Sequence, residues 1–270
     1  MAGLTLTAKP SASGRIDLTD LARALQAGQP SSALAALVVG RGSEPARLGD
    51  MFEISGTAGP DAAIEAGHLV ADGVGAGLAG GTLTFTGNAG NNAGRAMKGG
   101  RLEIRGNAGT YLATGMKGGL IHVTGSAGDF VGGVASGKRF GMTGGTVVIE
   151  GDAGGRAGDK MRRGLILIRG KTGEAAGSRM AGGTIVAEGG FGLRPGPLMR
   201  RGTLIGPDTG QMLSTFGDCG VHDLVILAVM ARAWSRELGP LAPRQLPQKV
   251  RRFAGDLAAI GKGELLMTAV

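Results

Sequence analysis

The chain has 270 residues, 55 of them glycine and only 7 Phe, 1 Trp and 1 Tyr, with one cysteine and a net charge of +8. A single cysteine excludes an internal disulfide. With no basic leader ahead of an apolar run, and no stretch of the roughly 18 apolar residues that a membrane span needs, a cytoplasmic protein is expected. The basic excess sits in residues 161–270, where 15 Lys and Arg face 8 Asp and Glu. An acidic partner is implied there. Few stacking aromatics and no recognition motif argue against nucleic acid.

In chain order, Leu4-Thr-Leu-Thr-Ala8 alternates as an edge strand does. Ile16 to Gln26, with Leu18, Leu21 and Leu25, reads as a short helix, and Ser31-Ser32 opens a helical turn ending before Val38-Val39-Gly40. Residues 1–47 thus form a cap over the open end of a repetitive domain. Leu48-Gly-Asp-Met-Phe-Glu-Ile-Ser-Gly56 is expected as the first strand of the repeat and Gly67-His-Leu-Val-Ala71 as the second.

From Gly80 to Gly206 the repeat is regular. Paired residues open each unit at Gly80-Gly81, Gly99-Gly100, Gly118-Gly119, Gly144-Gly145, Arg163-Gly164, Gly182-Gly183 and Arg201-Gly202, a step of 19 at every interval except the 26 between 118 and 144. A short strand comes after each pair, with apolar residues on one side: Leu83/Phe85, Leu102/Ile104, Ile121/Val123, Val147/Ile149, Ile166/Ile168 and Ile185/Ala187. A period of this size predicts an all-β solenoid, a right-handed parallel β-helix of about nine coils over residues 48–206. Two residues before each new unit stands Met97, Met116, Met142, Met161, Met180 or Met199, an internal ladder of thioethers by pattern. Keeping Met142 in register confines the insertion to about residues 132–140.

Pro207 and Thr209-Gly210 break the pattern. Val221 to Leu238 is helix-compatible and closes on Gly239-Pro240. A last amphipathic helix is expected with Leu246, Val250, Phe253, Leu257 and Ile260 on one stripe. Residues 207–270 are therefore read as a C-terminal helical docking segment.

Catalytic signatures are weak. Gly75-Ala-Gly-Leu-Ala-Gly80 matches a dinucleotide fingerprint as a string but runs into a strand rather than a helix. Gly132 to Lys138 approaches a phosphate loop, with Arg139 where Ser or Thr is required. His68, His122 and His222 are scattered without ligand spacing, so no metal site is expected. Asp129, Asp152 and Asp159 fall in turns, where Asp is common. No nucleophile, base and oxyanion site assembles, and no catalytic residue is assigned.

Two surface features stand out. Lys98, Lys117, Thr143, Arg162, Ala181 and Arg200 come directly after the methionines, with Arg163 and Arg201 adjacent, and stacking would align them as a basic ladder, a candidate carrier-binding row. The outward residue at mid-strand changes from Thr84, Glu103 and His122 to Val148, Leu167 and Val186, with Leu165 adjacent. Exposed aliphatics of this kind predict a partner interface.

The run Gly-x-x-Gly-x-x-x-Gly, complete at Gly87/Gly90/Gly94, Gly151/Gly154/Gly158 and Gly170/Gly173/Gly177, resembles the glycine motif of the C-terminal domain of glutamate synthase. With Leu48 to Gly56 and Leu213-Ser-Thr-Phe216 added, the chain is similar to the C-subunit of formylmethanofuran dehydrogenase. That resemblance implies a right-handed β-helix in a larger hetero-oligomer whose chemistry lies in other, amidohydrolase-like and formyltransferase, subunits. It implies either a molybdenum or tungsten dehydrogenase or a formyltransferase/hydrolase complex that releases formate from a formyl-methanofuran-type carrier; the Ala/Arg/Gly-rich composition favours the latter. Family carriers bear acidic polyglutamyl tails, which would suit the basic ladder; no cofactor is expected in this chain. An independent β-helical carbohydrate lyase or hydrolase is the competing class.

Overall fold

The computed structural model describes residues 3–40, 46–57, 59–207, 212–244 and 246–268. Thr209 and Gly210 lie outside the described residues. The chain opens with β1 (Leu4–Ala8), β2 (Arg15–Asp17), α1 (Leu21–Gln26), α2 (Ser31–Ala35) and α3 (Leu48–Met51), then β3 (Phe52–Ser55), β4 (Ala62–Glu65) and β5 (Val70–Asp72). The repeat supplies β6 (Thr82–Thr86), β7 (Arg101–Arg105), β8 (Leu120–Val123), β9 (Thr146–Ile149), β10 (Leu165–Ile168), β11 (Ala181–Ala187) and β12 (Arg201–Gly206). β13 (Gly217–Asp223), α4 (Val225–Leu238), β14 (Lys249–Gly255) and β15 (Lys262–Thr268) complete it.

One 13-stranded sheet dominates, in the order β13-β14-β15-β12-β11-β10-β9-β8-β7-β6-β4-β1-β3. Its neighbours run parallel from β1 to β15 and antiparallel only at the two ends, β3 on β1 and β13-β14-β15 at the other. The 19-residue step becomes strand register: Leu83 faces Leu102, Leu102 faces Ile121, and across the insertion Ile121 faces Val147. A second parallel ladder, of single bridges, joins Ala71, Ala89, Ala108, Ala127, Ala153 and Thr172. All six methionines of the predicted column are fully buried.

Short polar side chains hold the turns between the sheet and the bridge ladder. The Asn88 side-chain oxygen accepts from the Asn107 N–H (3.0 Å), Asn107 from Ser126 (2.8 Å), Ser126 from Asp152 (3.1 Å) and Asp152 from Lys171 (2.7 Å). A parallel row runs from Asp72 to the Asn91 N–H (2.6 Å) and from Asn91 to Thr110 (3.1 Å). Each bond pairs a backbone donor that would otherwise be left open at a turn.

Four expectations are corrected. The stretch 48–56 is not a parallel first strand: Leu48–Met51 is helical, and β3 pairs antiparallel to β1 with Ser55 opposite Thr5. Arg15–Asp17 is a strand, so the first helix is only Leu21–Gln26. The helix expected from Val221 begins at Val225, after β13. The last helix does not form: Val250 and Phe253 lie in β14, which turns back antiparallel to β15, and Leu257 and Ile260 are exposed in the connection. Thus β15 takes the parallel place beside β12, with Lys262 opposite Arg201 and Leu265 opposite Leu204. Lys262-Gly263 is one more opening pair, delayed by the 207–261 excursion.

Candidate ligand and partner surfaces

Backbone bonds place the predicted basic row. The Lys117 N–H donates to the Met97 carbonyl (2.8 Å), Thr143 to Met116 (2.7 Å), Arg162 to Met142 (2.9 Å), Ala181 to Met161 (2.7 Å) and Arg200 to Met180 (2.7 Å). Since each methionine points inward, the residue after it emerges at the same corner of every repeat. Lys98, Lys117, Arg162, Arg163, Arg200 and Arg201 are all exposed, and none has an acidic partner among the described residues.

The upper part of this row opens into a groove of about 660 Å³ lined by Arg139, Phe140, Lys160, Arg162, Arg179, Ala181, Leu198, Arg200, Arg201 and Ile260. It gathers six cationic side chains and no carboxylate. Arg139 and Arg162 flank the Phe140 ring with their guanidinium carbons 5.1 and 5.0 Å from its centroid, which fixes two charges whose N–H groups stay open to a ligand. Arg179 differs: it is bound to the buried Asp159 carboxylate at 2.7 and 2.8 Å. Lys98, Lys117 and Arg163 stand along the same corner but outside the groove lining.

The spacing of the basic row does not single out Lys160 and Arg179, although a signal for them exists. Each immediately precedes a methionine of the column, and each has a positive φ, 53° and 52°, that turns its side chain out beside the basic row. The insertion contributes Arg139 and Phe140, so the break in the period supplies part of the groove's lining.

The expected partner interface is corrected. Val148, Leu165, Leu167 and Val186 are buried within the chain, in one cluster with Ile205, Val250, Leu266 and Leu227 of α4. Met230, Trp234, Leu238 and Leu241 pack around it. The outer aliphatic column is therefore the seat of α4. The helix leaves Val225, Ile226 and Val229 exposed on its other side. A polar cluster secures the segment after the helix: the Arg169 guanidinium donates to Glu188 (2.8 Å) and to the Ala242 carbonyl (2.8 Å), and the Arg244 N–H donates to Glu188 (2.7 Å).

The remaining candidates have structural places. Asp152 and Asp129 accept backbone N–H groups of the next repeat, at 2.7 Å each. His122 lies on the outer face with its Nε2 3.3 Å from Glu150, and the His222 ring contacts the Cys219 carbonyl at 2.8 Å. No helix comes directly after Gly75–Gly80 or residues 132–138. Among the described residues no helix is long and apolar enough to cross a membrane, and no three His, Cys, Asp or Glu side chains are grouped as metal ligands.

Residues 53–215 match the family model described as the GXGXG motif. The C-subunit of the formyltransferase/hydrolase complex Fhc of Methylorubrum extorquens is 40% identical over 58 residues, a match spanning 22% of either chain. A chain in the X-ray crystal structure of the formyltransferase/hydrolase complex (FhcABCD) from Methylorubrum extorquens in complex with methylofuran superposes with a TM-score of 0.83 at 36% identity, over 98% of this chain and 100% of that one. A family match over more than half the sequence and this full-length likeness agree with the glycine-framed register seen in the sheet: the chain belongs to the GXGXG-motif family, with the C-subunit of the formyltransferase/hydrolase complex among its relatives.

Proposed function

We propose that the chain is a non-catalytic structural subunit of a cytoplasmic formyltransferase/hydrolase complex in one-carbon metabolism. In this reading the sheet and the alanine ladder are two walls of a right-handed parallel β-helix, capped by residues 1–47 and 207–270, that scaffolds amidohydrolase-like and formyltransferase subunits. The full-length likeness to a chain of the FhcABCD complex carries it. The complex, rather than this chain, would bind the methanofuran-type carrier. Val225, Ile226 and Val229 on α4 are the face we assign to a neighbouring subunit of that assembly, in place of the strand column that α4 covers.

The groove at Arg162, Arg200 and Arg201, continued by Lys98 and Lys117, suits an acidic carrier tail, because it holds several unpaired cations and no carboxylate. Isolating the native assembly and identifying its subunits by mass tests the scaffold role: other subunits should co-purify, and a monomer with lyase activity would overturn it. Lys117→Glu with Arg162→Glu should raise the apparent Michaelis constant for the carrier and leave assembly intact. Unchanged kinetics would remove the carrier role.

A further inference from the structure

We propose a second binding site, for a ligand bearing two or more oxyanion groups, in the cavity across the 132–140 insertion from the basic groove. The cavity is about 630 Å³, bounded by Tyr111 and Phe130 on one side, residues 134–138 of the insertion on another, and Lys160 and Arg179 between. It rests on this geometry and not on the assignment to a complex.

Two independent features favour negative charge there. Thr114, 2% exposed, lines the cavity, and its hydroxyl finds no partner among the described residues. A buried hydroxyl left open costs free energy that a bound acceptor would recover. Arg95, Lys138 and Lys160 line the same space without an acidic partner among the described residues, while the one carboxylate of the lining, Asp159, is already taken by Arg179. The aromatic wall is held in place by its own contacts. Phe130 stacks on Tyr111 (centroids 4.9 Å apart, planes 9° apart) and carries Arg156 5.3 Å from its centroid.

Lys160 and Arg179 line both this cavity and the basic groove. An extended acidic ligand therefore has a continuous cationic path from one to the other past the insertion, which serves as a strap. The insertion thereby gains a role that a simple repeat would not need.

The test is calorimetric titration of the full-length chain, as purified with whatever accompanies it, with tri-glutamate and, in a separate arm, inorganic triphosphate; the probe that binds identifies the source of the oxyanions. Lys138→Ala should weaken binding about tenfold, the loss of one charge-assisted contact. Thr114→Val should weaken it severalfold with an unchanged or higher melting temperature, since it deletes a hydroxyl that has no partner. Should Thr114→Val not fold, Lys138→Ala, on an exposed loop, still decides. Neither probe binding, or binding indifferent to both variants, overturns the site. Sensitivity only to Arg162→Glu and Arg200→Glu also overturns it and leaves the groove standing, whereas the scaffold role fails separately, if no other subunit co-purifies.

Discussion

The terminal methyl of Met161 lies 2.7 Å from where a Cβ on Gly183 would stand. The same relation joins Met97 to Gly119, Met116 to Gly145, Met142 to Gly164, Met180 to Gly202 and, over the long excursion, Met199 to Gly263. The two columns of the sequence are one interlock: a methionine in each repeat fills the space left by the missing side chain in the next.

Gly183→Ala should therefore be severe. Gly183 has φ +94°, and the added carbon would press on both the Met161 methyl and the Gly164 carbonyl oxygen. A loss of about 3 kcal/mol is expected from backbone strain and overpacking together. Combining it with Met161→Ala should cost less than the two separate losses, a non-additivity that denaturant unfolding would show.

Leu227→Ala removes the buried anchor of α4 over Val148, Leu167 and Val186. We expect a loss of about 3 kcal/mol and new binding of a hydrophobic dye as the aliphatic column loses its cover. A stable variant without dye binding would mean that α4 is dispensable to that face.

Asp72 is almost wholly buried, and its carboxylate accepts from Arg15 at 2.7 and 2.9 Å and from the Asn91 N–H at 2.6 Å. The hydrogen bond to Asp72, then its charge, raises the Arg15 pKa. Asp72→Ala would strand both donors at the start of the turn ladder. Since the Arg15 side chain is 46% exposed, water takes up part of the loss, and about 2 kcal/mol is expected in a urea titration.

Asp256 sets a pH dependence. Burial pushes its pKa up, but the N–H groups of Ala258 and Leu198 that its carboxylate accepts outweigh it, so the carboxyl sits below its ordinary value. Both N–H contacts measure 2.8 Å. A folded-state value below the unfolded one gives stability that is complete above the unfolded value of about 3.9 and is lost as pH falls through the folded one. Melting temperature should drop below about pH 4, and Asp256→Asn should flatten that drop.

How much of this was legible depends on whether the signal was local. Glycine pairs, methionines and alternating strand residues repeat along the chain, and their spacing alone fixed Leu83 opposite Leu102 and the inward methionines. The basic row came from the same spacing. Three things did not. Val148, Leu167 and Val186 look exposed until α4, some 40 to 80 residues further along, is laid over them. Val250 and Phe253 fit a helical stripe as well as a strand, and only pairing with the distant β15 decides. Lys262-Gly263 carries the opening-pair signature, but its 61-residue delay after Arg201 hides it from a search at step 19.

Because both ends of the parallel run are finished by strands of reversed direction, the molecule behaves as a ruler of fixed length. Each repeat adds one strand spacing of about 4.8 Å, and the methionine–glycine interlock keeps every increment alike. Removing one whole unit, such as residues 87–105, would bring the β3 end and the β13 end closer by a single increment while leaving each end's surface as it is. Whatever binds at the two ends is thereby held at a separation written in the number of repeats.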